Sequence, residues 1–158
     1  MAREVERKFL ISNDDWRIDA DVGTRMRQGY LAGTERSSIR VRVAGGQAWL
    51  NIKSATLGVE RLEYEYAIPA ADAEEMLERL CEGPCIEKTR YRVPWGEHTW
   101  EVDVFEGDNA GLVVAEIELR EPEEPFAKPP WIAAEVSDDP RYYNVCLVRH
   151  PYREWSAP

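Results

Sequence analysis

The run Glu4-Val5-Glu6-Arg7-Lys8-Phe9-Leu10-Ile11 opens with charged and apolar residues in alternation, and that period of two decides the fold class. In an extended strand successive side chains point to opposite faces, so Glu4, Glu6 and Lys8 share one face while Val5 and Phe9 share the other. The pattern returns over residues 24–31, 38–43, 47–54, 61–68, 85–93, 99–105 and 112–119. Turn signals separate the runs, among them Ala44-Gly45-Gly46, Pro94-Trp95-Gly96-Glu97 and Glu106-Gly107-Asp108-Asn109. Connections this short join antiparallel neighbours, and eight such strands can close into a barrel.

Residues 70–81 break the alternation. They are rich in helix formers and place Ala73, Met76, Leu77 and Leu80 at helical spacing, up to a stop at Gly83-Pro84. Residues 121–130 hold four prolines and read as an irregular connector. A second helix is expected from Ser137-Asp138-Asp139-Pro140, where Ser or Asp can cap free backbone N–H groups and Pro suits the first turn. The expected architecture is mainly β with flanking helices: one domain over residues 1–158, with 121–158 as connector and helical tail.

Charge of both signs occupies the polar phase of the strands. Glu4, Glu6 and Lys8 are followed by Arg40 and Arg42, then Lys53, then Arg61, Glu63 and Glu65. Lys88, Arg90 and Arg92 share a face, as do Glu101 with Asp103 and Glu116 with Glu118. Alternation says which residues share a face, not which face points inward, so a solvated charged face and a charged lumen both fit. Segregation of acidic and basic strands suits a site that holds metal and phosphate together. Arg forks bind phosphate oxygens in pairs, and carboxylate oxygens suit hard divalent ions that bridge phosphates.

With 158 residues, 44% of them hydrophobic, the chain supports one core but not two. The net charge of −10 excludes a general nucleic-acid binder, because backbone affinity comes from Lys and Arg. Met1-Ala2-Arg3-Glu4 begins no apolar leader, and no stretch approaches a spanning helix, so a cytoplasmic protein without a membrane partner is expected. Cys81, Cys85 and Cys146 lack the companions of a zinc site and read as reduced thiols. His98 and His150 lie near a turn and in the tail, away from any nucleophile motif, and no Walker or dinucleotide-binding glycine loop is present.

The motif Glu4-Val5-Glu6-Arg7-Lys8 is weak alone. Together with Gln28-Gly29-Tyr30-Leu31, Ile39-Arg40-Val41-Arg42, Lys53, Glu63, Glu65, Glu87-Lys88-Thr89-Arg90-Tyr91, Asp103 and Glu116-Ile117-Glu118, the chain resembles the CYTH superfamily, or triphosphate tunnel metalloenzymes. The likeness is to the short bacterial form and covers nearly the whole chain. It implies a closed eight-stranded antiparallel tunnel with the charged face inward and the apolar face packed outward against helices. The implied activity is metal-dependent hydrolysis of a small-molecule triphosphate, above all inorganic tripolyphosphate to pyrophosphate and orthophosphate. Adenylate cyclisation, thiamine- or nucleoside-triphosphate hydrolysis and non-catalytic polyphosphate binding are the alternatives, and a homodimer is compatible.

The resemblance assigns Arg40, Arg42, Lys53, Lys88 and Arg90 to the phosphates. It assigns Glu4, Glu6, Glu63, Glu65, Asp103, Glu116 and Glu118 to Mg²⁺ or Mn²⁺, with two ions expected. Lys8 is expected to orient or deprotonate the attacking water, paired with Tyr30. Arg25, Arg27, Arg61 and Arg92 are divided between site and ion-pair roles, and Gly29 is expected to permit a bulge beside Tyr30. The tail departs from the family at Ala133-Ala134-Glu135-Val136-Ser137, where relatives favour a Gly before the Glu and a Thr after the Val.

Overall fold

The computed structural model describes residues 3–155. Its strands are β1 (Arg3–Ile11), β2 (Thr24–Gly33), β3 (Ser37–Ala44), β4 (Gln47–Ser54), β5 (Glu60–Ile68), β6 (Glu82–Trp95), β7 (His98–Phe105), β8 (Val113–Leu119) and β9 (Ile132–Glu135). Two helices accompany them, α1 (Ala70–Arg79) and α2 (Asn144–Arg149). The first eight strands close antiparallel in the ring order β1-β5-β4-β3-β2-β6-β7-β8, with β9 added outside on β1. The β3–β4 hairpin turns through Gly45 at φ 58° and Gly46 at φ 81°, two successive left-handed positions that glycine adopts without a Cβ clash.

Closure settles which face points inward. The apolar phase lies outside the barrel wall in three clusters. Val5, Phe9, Trp100 and Ile117 pack under Trp131 and Trp16. Ile86, Phe105 and Val114 pack against Leu147 and Val148 of α2. Val41 and Ala48 pack under Ala73 and Leu77 of α1. Each cluster buries side chains worth roughly 1.5–3 kcal/mol apiece, so the fold's driving force sits between wall and covering segments. The lumen is left to the charges.

The barrel closes by a short seam. β1 pairs with β5 only over Arg3↔Leu62, Glu4↔Arg61 and Val5↔Glu60, and β9 takes the same edge of β1 from Phe9 onward. The tail fills the gap between them. Lys8 N donates to Ser137 Oγ at 3.0 Å, and Val136 N donates to Lys8 O at 2.8 Å. Tyr143 Oη donates to Ser137 O at 2.6 Å and accepts from Gly58 N at 3.1 Å. Tyr143→Phe removes this latch and strands two backbone groups. A loss of about 1–3 kcal/mol is expected, seen as a lower urea midpoint with an unchanged slope.

Several local expectations are corrected. The second helix begins at Asn144, not near Ser137, because Ser137 Oγ is committed to Lys8 N and Glu135 Oε2 and caps no helix. Pro140 instead starts a short 3₁₀ turn, Pro140–Tyr142, capped by Asp139. Gly83-Pro84 does not end a helix but lies inside β6, beside a register shift against β2 where Pro84 needs no ladder donor. β9 and the 3₁₀ turn Asp15–Asp19, which carries buried Trp16, are additions to the sequence reading. The bulge expected at Gly29 is present: β2 shifts register between Gln28 and Tyr30 against β6, and between Tyr30 and Ala32 against β3.

Candidate active site

The lumen is a cavity of about 620 Å³. Lys8, Tyr30, Arg40, Arg42, Lys53, Lys88, Arg90, Glu4, Glu6, Glu63, Glu65, Glu116 and Glu118 all line it. Asp103 alone among the residues assigned from the sequence does not. It lies beneath Arg90 and Lys88 at 1% exposure, with its carboxylate taken bidentately by Arg90 at 2.8 and 2.9 Å and by Lys88 at 2.8 Å. In that place it orients two cations rather than facing a ligand.

Strand register sorts the charges. Glu6 faces Glu118 and Lys8 faces Glu116 across β1 and β8, while Arg90 faces Asp103 across β6 and β7. Tyr30 faces Arg40, and Arg40 in turn faces Asn51. Side-chain oxygens of Glu4, Glu6 and Glu118 come within 4.8 Å of one another. Three hard oxygen donors converging at a solvent-reachable wall fit a divalent cation such as Mg²⁺ or Mn²⁺.

The ionisation of this wall fits the same reading. Burial and Glu116 push Glu6 up to about 8, and burial with surrounding carboxylates, Glu101 first among them, also raises Glu118. Glu4 goes the other way: burial opposes its charge, but Lys53 at 3.1 Å and Arg61 at 3.0 Å hold it down at about 2. The remaining assigned carboxylates of the lumen have partners of their own. Glu116 is engaged by Lys8 at 2.8 Å and Arg90 at 3.0 Å. Glu65 accepts from Asn51 Nδ2 at 2.7 Å, and Glu63 lies 3.4 Å from Lys53.

The basic wall divides into neutralised and free cations. Lys53, Arg61, Lys88 and Arg90 each have a carboxylate partner. Arg40 and Arg42 have none among the described residues. Arg40 is 7% exposed and its Nε has no hydrogen-bond partner, while Arg42 Nε donates only to Gln28 Oε1 at 2.9 Å. Burial, with Arg40 and Arg90 nearby, lowers Arg42 to about 9, and burial with the same Arg90 and Arg42 lowers Lys88 to about 7 against the pull of Asp103. Buried guanidinium groups without counter-ions are costly. An anion in the cavity supplies what they lack.

Lys8 does not pair with Tyr30. Its Nζ donates to Glu6 Oε1 at 2.9 Å and Glu116 Oε2 at 2.8 Å, and the ring beside it, at 5.6 Å, belongs to Tyr143. Burial works against the ammonium, yet the two carboxylates overcome it and raise its pKa. Tyr30 lines the cavity but packs its ring with Ile86, Phe105 and Leu112.

Arg61 proves to be both things weighed for it, a lumen residue and an ion-pair partner of Glu4. Arg25 and Arg27 point outside, to Glu106 and Glu74. Gln28, Asn51 and Asn144 belong to the site as amide partners of Arg42, Glu65 and Lys88, yet nothing in alternation distinguishes a lumen amide from a surface one.

The family described as CYTH domain matches residues 2–143. An inorganic triphosphatase of Acetivibrio thermocellus is 48% identical over 155 residues, covering 98% of this chain and 99% of that one. An inorganic triphosphatase of Nitrosomonas europaea is 37% identical over 151 residues, covering 92% and 96%. The crystal structure of the inorganic triphosphatase NE1496 aligns with a TM-score of 0.66 at 34% identity, covering 94% of this chain and 95% of that chain.

Proposed function

Because this chain belongs to the CYTH domain family, we propose that its tunnel hydrolyses inorganic tripolyphosphate to pyrophosphate and orthophosphate with Mg²⁺ or Mn²⁺, two ions serving the reaction. One observation carries the reading. Two arginines with no carboxylate partner among the described residues, buried Arg40 and half-buried Arg42, share a lumen with three converging carboxylates, Glu4, Glu6 and Glu118. A chain of phosphates bearing a divalent ion satisfies both at once.

In this reading Arg40, Arg42 and Arg90 fork onto phosphate oxygens, and Lys53 and Lys88 add point charges. Asp103 fixes the direction of Arg90 and Lys88. Glu4, Glu6 and Glu118 hold a divalent ion, with Glu63 and Glu65 as the next carboxylates along the lumen. A bound ion neutralises phosphate charge and lowers the pKa of coordinated water. Lys8, held protonated between Glu6 and Glu116, orients the reacting groups and stabilises the charge that develops on them.

Lys8→Met removes the cation but keeps the stem. The turnover number is expected to fall roughly 10²-fold, the effect of losing one preorganised donor, with little change in KM. An unchanged turnover number removes Lys8 from the mechanism.

Phosphorus NMR of the reaction mixture tests the function. Equal amounts of orthophosphate and pyrophosphate from tripolyphosphate are expected. Cyclic AMP with pyrophosphate from ATP, and no product from tripolyphosphate, assigns the same tunnel to cyclisation.

A further inference from the structure

The geometry points to Asn144, contributed by the tail, as a further phosphate-contacting residue of this tunnel, an assignment that rests on the triphosphatase reading. Asn144 is the first residue of α2 and lines the lumen beside Tyr143. Its Oδ1 lies 2.7 Å from Lys88 Nζ and 2.7 Å from Gln28 Nε2. Lys88 Nζ donates in that contact, so the Asn144 atom facing it is the amide oxygen.

Gln28 is fixed by the same logic from the other end. Arg42 Nε, a donor only, lies 2.9 Å from Gln28 Oε1, which turns the Gln28 amide nitrogen to Asn144. Gln28 is 0% exposed and Lys88 1%, so water offers neither an alternative partner. Two cations thus lock two amides in a single orientation.

The consequence falls on the other half of the Asn144 amide. With Oδ1 committed to two donors, Nδ2 presents only N–H groups, and no described residue accepts from it. Nor is it among the buried atoms sealed off without a partner, and the residue that carries it lines the lumen. Arg90 and Arg42 already disfavour the charge on the neighbouring Lys88, against the pull of Asp103. A neutral donor there adds a hydrogen bond to an oxyanion without adding to that repulsion. The tail thereby completes the phosphate site that the strands begin, one residue beyond the Tyr143 latch.

Asn144→Asp and Asn144→Ala test the assignment. Asp keeps both acceptor contacts and removes the N–H; Ala removes the N–H without adding charge. Both are expected to raise KM for tripolyphosphate about tenfold or more and to shrink the thermal shift that tripolyphosphate produces, while Asp leaves the melting temperature of the free protein no lower than wild type. A lower melting temperature with unchanged KM and unchanged shift makes Asn144 a structural link and overturns the proposal. Wild-type protein that is stabilised by tripolyphosphate without turning it over sinks the hydrolase reading alone, since the shift still reports on Asn144. Wild-type protein with neither turnover nor shift overturns both.

Discussion

Arg90→Ala will slow tripolyphosphate hydrolysis by on the order of 10³-fold and lower the melting temperature by roughly 6–12 °C. Both effects come from one guanidinium. Arg90 binds Asp103 through two nitrogens, Glu116 at 3.0 Å and Glu101 at 3.4 Å, and its side chain is only 11% exposed. Removing one partner from a buried pair costs about 3–5 kcal/mol, most of it the penalty of the charge left behind. Here Asp103 keeps Lys88 and Glu116 keeps Lys8, which places the cost near 3 kcal/mol. Arg90→Lys restores charge without the fork, so stability recovers more than turnover. A melting curve beside steady-state kinetics reads both; full activity in Arg90→Ala would remove Arg90 from the phosphate site.

Glu6→Gln separates function from stability in the opposite sense. Hydrolysis is expected to fall roughly 10³-fold, because the carboxylate trio loses a charged donor for the divalent ion. The metal-free protein is expected to become more stable. Glu6 sits half-buried beside Glu116, and its pKa rises from 4.5 to about 8. Across that window the folded chain holds a proton that the unfolded chain has released, so stability of the metal-free protein falls as pH rises. Gln carries no such penalty and should flatten the dependence. Mg²⁺ or Mn²⁺ should raise the melting temperature of the wild type and leave that of Glu6→Gln nearly unmoved. A variant less stable than wild type without metal at pH 8, or still strongly stabilised by metal, contradicts this account of Glu6.

Much of the barrel was legible because alternation survives in a strand whatever it packs against. Every run read from the sequence is a strand, displaced at its ends by a residue or a few. The direction of the charged face was not legible from phase, which is symmetric, and came from the motif combination around Glu4, Glu6, Lys8, Arg40 and Arg42. Ring closure then makes it physical. β9 escaped because Ile132-Ala133-Ala134-Glu135 has neither strict alternation nor a run of β-branched residues; it forms by pairing with β1.

The site divides the same way. Local phase grouped Arg40, Arg42 and the carboxylates of β1, β5 and β8 on the charged faces, and closure makes those faces the lumen. What phase could not weigh is depth and distance. Asp103 shares a face with Glu101 yet lies beneath Arg90. Lys8 meets Tyr143, far along the chain, because the tail fills the seam where β1 leaves β5. Ser137 stands where the family favours Thr, and its hydroxyl holds the backbone of Lys8. The departure keeps the chemical group that the seam uses.

The central claim is best tested by orthophosphate release from tripolyphosphate, ATP, GTP and thiamine triphosphate, each with Mg²⁺, with Mn²⁺ and with chelator. The account predicts the highest kcat/KM for tripolyphosphate and no release under chelation. Silence across all four substrates with either metal, or release that persists in chelator, contradicts it.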